Sequence, residues 1–148
     1  MFFRSKAIGQ SMDLFIVEGD EILYTDKTDY SFGDIILYKS SKNDNLICHR
    51  YFFRIGSYYI VAGDNNTYFE IVKKDNLVGK GIILIRTDRK RYDIGRKNDY
   101  RTKYCKFLFK CIIIGFISRK FTIFNRYYQK NNLLRNKLQV KYIDYCSL

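Results

Sequence analysis

Through residue 95 the apolar positions come in short runs punctuated by turn residues, and the spacing predicts strands. Residues 21–24 follow Gly19-Asp20 and residues 35–38 follow Gly33-Asp34. Residues 46–55 carry β-branched and aromatic side chains in partial alternation. A Gly56-Ser57 pair, suited to a two-residue hairpin turn, leads into a run over 58–62. Residues 77–86 make another strand, interrupted by Gly79 and Gly81, which mark a bulge. A turn at Thr87-Asp88 then returns Tyr92, Asp93 and Ile94 antiparallel to it. Five to seven short strands at regular intervals predict a mainly β fold, a barrel or coiled sheet.

After Gly95 the pattern changes. Residues 96–103 read as a polar, charged link. From Tyr104 the apolar spacing becomes helical, with Phe107, Cys111, Ile114, Phe116 and Ile117 on one broad face. Phe121, Phe124, Tyr128, Leu133, Leu134 and Leu138 continue it, so one or two basic amphipathic helices are expected. The most apolar stretch, 107–117, is eleven residues with Lys110 inside it. A bilayer span needs about 20 apolar residues, so no transmembrane helix is expected.

Charge sharpens this division. The 148 residues carry 27 Lys and Arg against 15 Asp and Glu, a net of +12. Residues 1–85 have a net of −1 and residues 86–148 a net of +13. A near-neutral working domain over 1–95 followed by a basic extension over 96–148 is the organisation this implies. The extension suits packing on the sheet, or peripheral contact with an anionic membrane along residues 107–124, where Lys106, Lys110, Arg119 and Lys120 accompany the apolar positions. Interleaved aromatics such as Arg126-Tyr127-Tyr128 also suit nucleic acid, but no binding-fold motif accompanies them, and nucleic acid is the weaker expectation.

The four cysteines, at 48, 105, 111 and 146, include no Cys-x-x-Cys pair, and the single histidine, His49, adjoins Cys48. That set offers neither a zinc site nor a disulfide scaffold, and no metal or cofactor is expected. The basic N-terminus lacks the apolar core of a secretory signal. The corresponding expectation is a cytoplasmic or peripherally membrane-associated protein without a signal peptide or an N-terminal anchor.

Three short segments carry candidate chemistry: Gly9-Gln10-Ser11-Met12, Cys48-His49-Arg50, and Gly63-Asp64-Asn65-Asn66 followed by Glu70. Taken singly they read as turns and strand residues. Taken together they are the parts of a nucleophilic site. A serine hydroxyl needs a base to remove its proton, and histidine suits neutral pH. A carboxylate on the far ring nitrogen fixes the tautomer and stabilises the imidazolium. Cys48 is a poor nucleophile for His49, because adjacent strand residues point to opposite faces.

The order of these motifs resembles the type I signal peptidase superfamily, which also includes the self-cleaving SOS-type repressors. The run Gly9-x-Ser11-Met12, Gly19-Asp20, Gly33-Asp34-Ile35-Ile36, His49-Arg50, Gly63-Asp64-Asn65-Asn66 and Gly79-Lys80 covers about residues 5–86. The resemblance implies Ser11 as nucleophile and His49 as general base, as in the branch with a His-Arg pair. It implies Asp64 or Glu70 as the acid, Glu70 standing where Asp is usual. It further implies an oxyanion and substrate site around Gly9, Gln10 and Met12. The function so implied is a serine endopeptidase acting on the signal or leader peptide of a precursor polypeptide. The alternative from another class is a non-catalytic regulatory β module with a basic membrane- or nucleic-acid-binding tail.

Overall fold

In the computed structural model, residues 1–13, 15–66, 68–96 and 99–118 are described. The fold is mainly β. Eight strands form one antiparallel sheet: β1 (Phe2–Lys6), β2 (Glu21–Thr25), β3 (Ile35–Lys39), β4 (Leu46–Ile55), β5 (Tyr58–Ala62), β6 (Glu70–Lys73), β7 (Leu77–Ile85) and β8 (Arg91–Asp93). A single helix, α1 (Asp99–Ser118), follows them among the described residues. The strand order is β1-β2-β7-β3-β4-β5-β6. Strand β7 pairs with β2 along one edge, while β3 and then β8 share the other. Of the two forms expected, barrel or coiled sheet, the barrel is excluded: the sheet is open, with β1 and β6 at its ends.

The inner strands follow from their sequence. In β3 the run Ile35-Ile36-Leu37-Tyr38 is buried on both faces: Ile35 and Leu37 enter one core cluster, Ile36 and Tyr38 the other. A continuous apolar run is what a doubly covered strand requires. The Gly56-Ser57 turn joins β4 to β5, with Ile55 opposite Tyr58. The bulge read from Gly79 and Gly81 is present twice. Register slips on β7 between Ile83 and Gly81 against β2, and between Gly79 and Leu77 against β3.

Two differences from the sequence pattern concern charge. Helix α1 begins at Asp99, inside the segment read as a polar link. The reason is Arg101, which is buried and bonds to the carboxylate of Asp34 and, at 3.1 Å, to the Phe32 carbonyl. A buried ion pair looks like surface in one dimension. The helix then packs its apolar side inward, placing Tyr104, Cys105, Leu108 and Ile112 in the same core as Phe15, Leu37 and Phe52. Of the face expected from the sequence, Cys111 is buried while Phe107 and Ile114 are only half-buried, and Lys103, Lys106 and Lys110 are among the exposed positions of the helix. Among the described residues no helix is long and apolar enough to cross a membrane. The expected continuation through Phe121, Phe124, Tyr128, Leu133, Leu134 and Leu138 lies outside the described residues, as does the basic-aromatic run at Arg126.

Candidate active site

Four elements converge on one side chain, His49. Directly opposite it on β3 lies Ile36, and Tyr38 stands two residues along on the same face. A diagonal cross-strand neighbour lies within reach of a long aromatic side chain, and the Tyr38 hydroxyl reaches His49 Nδ1 at 2.9 Å. Glu70, the first residue of β6, accepts a hydrogen bond from the same hydroxyl at 2.7 Å and lies 3.4 Å from Nδ1 through its other oxygen. On the far side of the ring, His49 Nε2 is 3.0 Å from Ser11 Oγ.

Ser11 sits on the loop between β1 and β2. Gly9, early in that loop, has a φ of +89°, a backbone conformation that side-chain-bearing residues rarely adopt. The loop is fastened from outside. The Asn65 N–H donates to the Ser11 carbonyl at 2.9 Å, and the Asn65 amide donates to the Gln10 carbonyl at 3.4 Å. Gly63 lies against the same carbonyl: a Cβ there would fall 2.4 Å from Ser11 O and 3.0 Å from His49 Nε2. Met12 is buried and anchors the loop in the core, while Gln10 is exposed. Among the described residues the N–H groups of Gln10 and Ser11 donate to no protein acceptor.

The residues expected from the sequence thus part company at the acid. Asp64 does not reach the imidazole. Its two oxygens take a bidentate pair from Arg50, at 2.6 and 2.9 Å, and a third bond from the Tyr104 hydroxyl at 3.0 Å. Arg50 follows His49 in β4 and so projects to the opposite face, where it also bonds the Gly33 carbonyl and stacks over Phe15. Cys48 likewise faces away from the imidazole, against the core that contains Tyr24, and burial pushes its thiol up to about 11. Glu70 is the carboxylate beside His49. Tyr38 is the member that the motifs do not reveal, because a tyrosine in an apolar strand run carries no signal that separates it from core.

Electrostatics favour an uncharged imidazole. His49 is buried, and its pKa falls below the ordinary value chiefly by desolvation, against the opposing pull of Glu70 and Asp64. Burial first, and the bond to Glu70 second, push the Tyr38 phenol well above its usual range, so it stays protonated. A neutral imidazole accepting from a serine hydroxyl is a competent general base.

Ser11 and His49 line a groove of about 1060 Å³ together with residues 5–9 and 39–46. Its lining includes the exposed apolar side chains of Ile8, Leu46, Tyr68 and Ile71. Among the described residues no cluster of three or more His, Cys, Asp or Glu side chains is placed to hold a metal ion. Comparison of the chain with protein-family models and with curated proteins finds no match to either.

Proposed function

We propose that this chain is a serine endopeptidase that cleaves a signal or leader peptide from a precursor polypeptide, with Ser11 as nucleophile and His49 as general base. One observation carries the reading: Ser11 Oγ lies 3.0 Å from Nε2 of a buried histidine whose environment favours the neutral ring. Ser11 attacks the scissile carbonyl as Nε2 takes its proton, and the imidazolium returns that proton to the leaving amine. Water then hydrolyses the acyl-enzyme by the same route in reverse. The N–H groups of Gln10 and Ser11 suit the developing oxyanion, where one such donor typically contributes about 2.7–4 kcal/mol to barrier lowering.

The groove favours an extended polypeptide over a compact small molecule. A substrate strand laid along it gains main-chain hydrogen bonds, and side-chain pockets supply selectivity. The order of sequence motifs supports a precursor peptide, and the resemblance they carry adds a preference for small residues before the cut. Exposed Lys103, Lys106 and Lys110 on α1 suit attraction to an anionic membrane bearing such precursors.

The test is peptide cleavage followed by mass spectrometry, using purified wild type, Ser11→Ala and His49→Ala on a pool of secretory and leader-type precursor peptides, with and without anionic vesicles. Cleavage by the wild type and its loss in both variants is the expected result. Unchanged cleavage in Ser11→Ala overturns the mechanism. A folded wild type that cuts nothing in the pool favours the regulatory-module alternative.

A further inference from the structure

For a neutral imidazole beside the Glu70 carboxylate, the hydrogen bonds around His49 admit one arrangement of protons. A carboxylate has no hydrogen to give, so at 2.7 Å the Tyr38 O–H must donate to Glu70 Oε2. The phenol has a single hydrogen, and its oxygen is left as acceptor for His49 Nδ1 at 2.9 Å. Nδ1 therefore carries the ring proton and Nε2 keeps its lone pair toward Ser11. The direct contact from Glu70 to Nδ1 is the longer one, at 3.4 Å.

We propose that Tyr38 is a positioning residue of the site, holding His49 Nδ1 in the place usually taken by an acid, so that Glu70 acts on the imidazole chiefly through the phenol. The inference rests on the peptidase reading in so far as it names Ser11 as the group that His49 serves. Both protonation states of the ring keep Nδ1–H, so proton uptake at Nε2 demands no rearrangement of the Tyr38–Glu70 chain. The phenol also sits between a negative charge and the ring that becomes positive. By binding Glu70 it takes part of the stabilisation that an imidazolium would otherwise receive.

The other charged and titratable groups about the ring are accounted for. Asp64, from the turn after β5, is engaged by Arg50 and Tyr104; Arg50 and Cys48, the chain neighbours on β4, lie on the opposite face. Tyr68 is exposed and acts electrostatically on Tyr38. The site should therefore respond to Tyr38 and Glu70 with opposite signs. Without the phenol O–H, Glu70 turns its full charge on Nδ1 and the imidazole becomes more basic. Without the Glu70 charge, it becomes less basic.

A single histidine makes this directly readable. Nitrogen-15 NMR of the full chain reports one imidazole, its tautomer and its titration midpoint, independently of any substrate. The expected result is an Nδ1–H tautomer in the wild type, a midpoint raised by about one unit in Tyr38→Phe, and one lowered in Glu70→Gln. A wild-type proton on Nε2, or a Tyr38→Phe midpoint that is unchanged or lowered, overturns the proposal. Should Tyr38→Phe not fold, the wild-type tautomer and the Glu70→Gln shift decide, an unchanged midpoint in the latter counting against it. Failure of the peptidase reading is distinguishable: it appears as cleavage indifferent to Ser11→Ala, with these NMR shifts intact.

Discussion

At position 63 the site itself dictates the residue. An alanine Cβ would intrude to 2.4 Å from the Ser11 carbonyl oxygen, a backbone atom that cannot turn aside, and to 3.0 Å from His49 Nε2. Either the nucleophile loop or the β5–β6 turn must shift, and a misplacement of about 1 Å costs on the order of a hundredfold in rate. Gly63→Ala is expected to keep the sheet and lose roughly that much kcat/KM; wild-type kinetics in the variant would refute the geometry. The pH profile follows from the same residue. On the proposed peptidase reading neutral His49 is the active form, and its pKa lies below the usual imidazole value of about 6.5. Activity should therefore fall only on the acid side, with a midpoint under about 6.5. Stability has the same sign: the unfolded chain takes up the proton first, so stability is lost as pH drops from about 6.5 toward the lower folded value. A kcat/KM profile, paired with melts of wild type and His49→Gln, checks both. At this scale the residues that meet at 3.0 Å, Ser11 and His49, were legible in sequence because short motifs in order carry them. The choice between Asp64 and Glu70 was not, since it depends on which face of β4 each meets, and Arg50 claims Asp64 on the face opposite His49.

Among the elements, the contact between β4, the β5–β6 turn and α1 is the one that burial makes most sensitive. Arg50 and Asp64 are almost fully buried and paired, with Tyr104 of α1 donating to the same carboxylate. Removing one partner strands the other charge in the interior, which typically costs about 3–5 kcal/mol. Asp64→Ala should lose that much. Tyr104→Phe removes one hydrogen bond to a charged acceptor and should lose about 1.5–3 kcal/mol. Denaturant unfolding measures both, and a larger loss in Tyr104→Phe than in Asp64→Ala would contradict the arrangement. The legibility of the elements follows burial too. Strands β2, β3, β5 and β7 announce themselves by apolar runs that one or both core clusters cover. Strands β1 and β6 escaped the pattern because they end the main strand order and bury little of their length. In β1 only Phe3 and Ser5 turn inward, even partly, and in β6 only Val72 is buried. Edge strands keep polar side chains outward, which weakens the alternation that identifies a strand.

Over the whole molecule, charge and packing draw different boundaries. The net charge changes sign near residue 86, which suggested a working domain ending at 95, yet the core does not end there. Tyr104, Leu108 and Ile112 each bury a large side chain against the residues of β2, β3 and β4. Burial of a side chain of this size contributes about 1.5–3 kcal/mol. Ending the chain at 95 removes all three, and with them Arg101 from Asp34 and Tyr104 from Asp64. Lys80 at 2.9 Å and the Ser31 N–H at 2.6 Å still reach the Asp34 carboxylate, while that of Asp64 keeps only Arg50. The apolar loss alone is comparable to the 5–15 kcal/mol that holds a typical domain together. A fragment of residues 1–95 is therefore expected to lose cooperative unfolding and the dispersed amide spectrum of the full chain. A cooperative melt and a dispersed spectrum from that fragment would show α1 to be an appendage; their loss would make the first helix of the basic segment part of the body that positions Ser11 and His49.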